Sequence, residues 1–200
     1  MTLVLIILFS FSFTLPVSAG TLNYWYSDSD RIGKWTSSPT IWYSKIDPNP
    51  QFPFVAGLQH GRNIWNNALG TSITISSSAT NAPIKFYGGT KAQLDALNIF
   101  NPIATSNLGR TVYTNITYRG THTYNFSPRY WYSYNRIDGF VVSRTDMSYN
   151  NYLKTASHEV GHAMGWRGHP TNRPTWIMQQ GKLENTTFKQ GERNHLLQIY

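Results

Sequence analysis

The chain contains no cysteine. Disulfide stapling and a lipid-modified cysteine anchor are both excluded, so any fold must stand on its hydrophobic core. A length of 200 residues with 40% hydrophobic content is enough for one such core. It is not enough for two comfortable domains, and whole-chain disorder is not expected.

The first segment stands apart from that core. Leu3 to Phe13 is apolar except for Ser10 and Ser12, and Pro16 and the small-x-small run Val17-Ser18-Ala19 follow. This pattern reads as a secretory signal over residues 1–19, cleaved after Ala19, with residues 20–200 as the exported domain. The run is too short to span a bilayer well. A secreted, extracellular protein is expected, monomeric and without a membrane anchor after cleavage. The net charge of +8 lies entirely outside the signal. It favours acidic cell-surface polymers as partners and allows cell-wall association. Nucleic acid is not an expected partner, because no dense Lys/Arg run occurs and the protein is exported.

Residues 53–69 place Phe54, Leu58, Trp65 and Ala68 at helical spacing, and Gly70 stops the pattern. Gly57 and Gly61 weaken this first helix. Strands are expected around Trp42 and Tyr43, over 72–77 and 83–87 (ended by Gly88-Gly89), over 111–118 and over 137–143. A short helix or turn is expected over 90–97. The aromatic stretch with Tyr130, Trp131, Tyr132 and Tyr134 reads as a surface hairpin, with a substrate-facing rim as the alternative. Two further helices are expected, over 150–164 and over 188–200, the second opened by a Thr187-x-x-Gln190 capping box. The sum is an α+β fold: a mixed, twisted sheet packed with an N-terminal, a central and a C-terminal helix.

The central helix carries His158-Glu159-Val160-Gly161-His162. Residues four apart lie on one helical face, so both imidazoles can reach one metal ion. Glu159 sits about 100° further round, near enough to touch a metal-activated water without being a ligand. Leu153, Ala156, Val160, Ala163 and Met164 form the opposite, core-facing stripe. Catalytic zinc takes three protein ligands and an open position. Gly165 ends the helix in a turn, and His169 lies just beyond it. An acidic third ligand, Glu184 or Glu192, is the alternative.

The stretch from His158 to His169 resembles the signature of the metzincin clan of zinc metallopeptidases, H-E-x-x-H-x-x-G-x-x-H. It is closest to the matrixins, in a bacterial secreted form. The family's third histidine would fall at Gly168. Here it stands one residue later, and Gly168 would absorb the extra residue as a bulge. The resemblance implies that Met178, in Trp176-Ile177-Met178-Gln179, forms an apolar floor beneath the histidines. It also implies an edge strand near Gly109 to Tyr113 that holds an extended substrate. Residues 20–200 would then be the catalytic domain of a zinc endopeptidase acting on proteins or peptides. One zinc ion would be held by His158, His162 and His169. Glu159 would take a proton from the attacking water and deliver it to the leaving amine.

Acidic residues number nine and are scattered, so no strong calcium site is expected. His60, His122 and His195 lack motif spacing and read as surface or capping residues. Without a cysteine, the cysteine-based latency seen in matrixins is impossible. Two alternatives remain: a non-enzymatic cell-wall-polymer binding protein with a structural zinc, and a peptidase confined to cell-wall peptides.

Overall fold

A computed structural model describes residues 31–100, 102–124 and 127–200. The segment 1–19, read from the sequence as a secretory signal, lies outside the described residues. The elements are β1 (Arg31–Lys34), β2 (Thr40–Lys45), α1 (Phe54–Leu69), β3 (Thr74–Ile75), β4 (Ile84–Gly89), α2 (Lys91–Asp95), β5 (Gly109–Tyr124), β6 (Ser127–Val142), α3 (Tyr149–Ala163) and α4 (Gln190–Leu196). The strands form one sheet and the helices pack against it, consistent with an α+β fold. No helix among the described residues is long and apolar enough to cross a membrane.

Strand β6 organises the sheet. Strand β5 pairs with it antiparallel along its whole length. A strand has only two edges, so β1 and β4 share the other. Strand β1 pairs parallel to Tyr130–Ser133 and β4 pairs parallel to Ile137–Val142. Strands β2 and β3 continue from β4, also parallel. Among the described residues β5 pairs with β6 alone, so its outer edge is open.

Side-chain alternation separates two cores. Ile41, Phe86, Ile137 and Val141 face the large core with α1 and α3. Their neighbours Tyr87, Phe140 and Val142 face a small cluster with Leu94 of α2. Helix α2 opens with a capping box between Thr90 and Gln93, and α3 with one between Ser148 and Asn151.

Several elements depart from the sequence reading. The strand expected over 72–77 shrinks to Thr74–Ile75. Gly88 and Gly89 lie inside β4 rather than ending it. A Cβ at Gly88 would come within 2.5 Å of the Phe54 ring, so the glycine makes room for the start of α1. The aromatic stretch belongs to the β5–β6 hairpin. Tyr130 there is exposed and Tyr134 buried. The last helix begins at Gln190 and ends at Leu196. Glu192 reaches back to the Lys189 amide at 3.0 Å and displaces the expected Thr187–Gln190 box. His195 is buried against the Trp166 ring rather than lying on the surface. His60 is half-buried, its Nε2 2.8 Å from the Thr186 carbonyl.

The two glycines that weaken α1 as a helix strengthen it as a packing surface. A Cβ at Gly57 would lie 2.8 Å from that of Ala156, and one at Gly61 would lie 2.9 Å from the Ser157 Cα. Backbones therefore meet at this crossing, and the Trp65 indole donates to the Ser157 carbonyl at 2.8 Å from a fully buried position. Alanine at 61 would gain roughly 1 kcal/mol of helix propensity. It would lose more to overpacking against backbone, which costs about 1–3 kcal/mol. Gly61→Ala is therefore expected to lower the urea midpoint of unfolding. A raised midpoint would show that α1 and α3 are not held this closely.

Candidate metal centre

Helix α3 presents His158 and His162 one turn apart, and both rings are buried. Their Nε2 atoms are 3.0 Å apart, and the Nε2 of His169 is 3.1 Å from that of His162. The His158 and His169 rings are nearly parallel, at 9°, and both stand almost perpendicular to His162. The structure thus brings together the three histidines singled out by sequence, including the late one. This group could hold a metal ion.

The donor chemistry fits a cation. The Nδ1 of His158 lies 2.9 Å from the Ile177 carbonyl, and that of His162 bonds the Trp166 carbonyl. A carbonyl only accepts, so each Nδ1 must carry the ring's proton. Each Nε2 then offers a bare lone pair to the shared centre, the pattern of a metal-ligating histidine whose other nitrogen is anchored. Burial reinforces this. It pushes His162 down to about 3 and His158 well below its ordinary value, so both rings are neutral.

The turn after α3 delivers His169. Gly165 has φ of 115°. Its amide bonds the His162 carbonyl at 3.0 Å, and the Trp166 amide bonds the Gly161 carbonyl at 3.1 Å. These two bonds are those of a Schellman ending. A Cβ at Gly165 would strike the Gly33 carbonyl at 2.5 Å, so glycine is needed there twice over. Trp166 is buried among Trp65, Trp176 and His195, which fixes the carbonyl that His162 uses.

Met178 is fully buried, and its sulfur fills the space a Cβ at Gly161 would need. The same turn supplies the Ile177 carbonyl to His158. Glu192 of α4 holds that turn, accepting from the Met178 amide at 2.8 Å. The proposed acidic ligands are thus occupied elsewhere. Glu192 caps main-chain amides, and Glu184 accepts from Ser148 Oγ at 2.6 Å. Neither joins the histidine cluster.

Glu159 is 4% exposed. Burial raises its carboxyl to about 7, and the hydrogen bond from Thr111 partly offsets that rise. Thr111 Oγ1 lies 2.7 Å from Oε2 of Glu159. Gly109 of the same strand has no side chain where a Cβ would come within 2.8 Å of the Glu159 carboxylate. The Tyr113 hydroxyl donates to the His162 carbonyl at 2.9 Å. Residues 109, 111 and 113 share one strand face, which lies on α3. The three histidines and Glu159 line one cleft of about 660 Å³.

Sequence reasoning did not find Thr111, Tyr113, Gly161 or the bracing role of Glu192. Alternation along β5 puts 109, 111 and 113 on one face. Nothing local says which helix that face covers. The core-facing stripe of α3 is corrected at one end: Leu153, expected to be buried, is the one residue from Asn151 to Ala163 that is not. The opposite, polar side is buried as well, because β5 and the 176–179 turn cover it.

No protein-family model matches the chain, and no curated relative does either.

Titration with Zn²⁺ is expected to fill one site and raise the melting temperature, reversibly by chelator. His169→Ala should weaken binding on the order of a hundredfold, read by competition with a chromophoric chelator. Unchanged affinity would remove His169 from the ligand set.

Proposed function

We propose that the chain is a secreted zinc-dependent endopeptidase with a matrixin-like, metzincin arrangement of its site. The observation that carries this reading is the Glu159 carboxylate. It is buried, raised to about 7, aimed by Thr111 and shares a cleft with three converging imidazoles. A purely structural zinc site is closed by four protein ligands and has no use for such a base. Here three imidazoles converge beside an open cleft.

Neutral nitrogen ligands in this number suit zinc. Zinc held there by His158, His162 and His169 would supply Lewis acidity, making a water more acidic and polarising the scissile carbonyl. Glu159 accepts the proton of the attacking water and hands it to the leaving amine. A carboxyl poised near neutrality can do both. Thr111 holds one carboxylate oxygen and leaves the other free for that proton. The open edge of β5 near Gly109 to Tyr113 receives the substrate as an added extended strand. The Gly165 turn, His169 and the turn that carries Met178 and offers the Ile177 carbonyl to His158 support the metzincin likeness.

The mature chain is expected to cleave casein or a peptide library, and chelator should abolish the cleavage. Glu159→Ala should lower kcat/KM by about 10²–10⁴ with zinc retained. Activity surviving that substitution would sink the mechanism. Thr111→Val should lower kcat about tenfold with zinc affinity intact, and loss of zinc instead would assign Thr111 to the metal site rather than to the base.

A further inference from the structure

We propose that the cleft wall beside His158 is a recognition subsite for an acidic side chain of the peptide substrate, with Lys154 and Thr155 as its donors. The inference rests on the peptidase reading above and names the substrate class for it.

Lys154 stands one helical turn before His158 and lines the same cleft. It is 2% exposed. Its Nζ donates to the carbonyls of Gln179 at 2.5 Å and Gly181 at 3.2 Å. An ammonium has three donors, so one remains. Both hydrogen-bond partners are neutral carbonyls; the Glu159 and Glu192 carboxylates favour the charge only through space, and burial still lowers the ammonium's pKa to about 8.

Thr155, the next residue, also lines the cleft and is 3% exposed. Its hydroxyl has no hydrogen-bond partner among the described residues. A helical hydroxyl can turn back onto the carbonyl four residues before it. Ser157 does this onto Leu153 at 2.7 Å, and Thr155 does not. A buried donor without a partner is unfavourable and calls for an acceptor.

The surrounding charge has the sign an acidic ligand needs. Arg144 and Lys182 share the single Asp146 carboxylate, at 2.8 Å and 3.4 Å. Lys154, Arg110 and Arg167 remain as cleft-lining cations, against Glu159. A carboxylate entering the cleft accepts the third Lys154 proton and the Thr155 hydroxyl proton. A glutamine of the same shape forfeits the ionic part, and a lysine is repelled.

The test uses one hexapeptide in which a single Glu, Gln or Lys is moved through every position. Cleavage by the wild-type chain and fluorescence-anisotropy binding to zinc-loaded Glu159→Ala are both measured. At one position the Glu peptide is expected to be bound and cleaved about tenfold better than its Gln twin, with Lys worst. Lys154→Met should abolish that preference, and Thr155→Val should reduce it severalfold. If Lys154→Met does not fold, Thr155→Val decides. Equal binding of Glu and Gln peptides at every position, or a preference that the folded variants leave unchanged, overturns the subsite. Glu159-dependent cleavage without acidic preference does so while leaving the peptidase reading intact. Acidic preference in binding without any cleavage has the reverse effect, and a series in which nothing binds removes both.

Discussion

The Nδ1 protons of His158 and His162 are committed to the carbonyls of Ile177 and Trp166, and the chemistry of the centre follows from that commitment. A neutral imidazole has one N–H. Once a carbonyl takes it, Nε2 has a lone pair and nothing to donate. Two such lone pairs 3.0 Å apart repel unless a cation lies between them. The fold tolerates this because both carbonyls are themselves immobile. Ile177 belongs to a turn braced by Glu192, and Trp166 is buried among aromatic rings. The two imidazoles are thus aimed by carbonyls of other elements.

Helix α3 can carry these groups only because it is enclosed on nearly every side. Its histidines stay neutral and its glutamate stays near 7 through burial. Burial demands close neighbours, and the chain supplies them by removing side chains. Gly57 and Gly61 let α1 approach, Gly109 lets β5 approach, and Gly161 admits the Met178 sulfur. Without disulfides, this close packing is the main means of holding the site rigid.

Much of this was legible in the sequence, for identifiable reasons. Helices α1 and α3 announce themselves by apolar spacing and by Gly70 and Gly165. The H-E-x-x-H stretch needs only a helix to align its ligands. The sheet order was not legible, because pairing β4 and β1 to opposite halves of β6 is a non-local choice. Glu192 was misread for a related reason. Two capping patterns overlap at Thr187-x-x-Gln190 and Lys189-x-x-Glu192. The second wins because the same carboxylate also serves the Met178 amide. His195 looks like a surface residue until Trp166 is seen to pack on it. The glycines of α1 read as weaknesses because helix propensity is local, whereas the packing they permit is not.

The late third histidine is explained by what pins the segment after α3. The Schellman ending fixes the chain through Trp166. The next residue, Arg167, lays its guanidinium 3.9 Å from the centre of the Tyr113 ring. Tyr113 in turn bonds the His162 carbonyl. One tyrosine of β5 therefore ties together the end of the helix and the loop that carries His169. The path from the helix to His169 is set by this stacking rather than by the spacing alone. The same strand lines the cleft through Gly109, Thr111 and Tyr113, and among the described residues it pairs on one side only. The placement of His162, the orientation of Glu159 and the path to His169 are then three consequences of where β5 sits on α3.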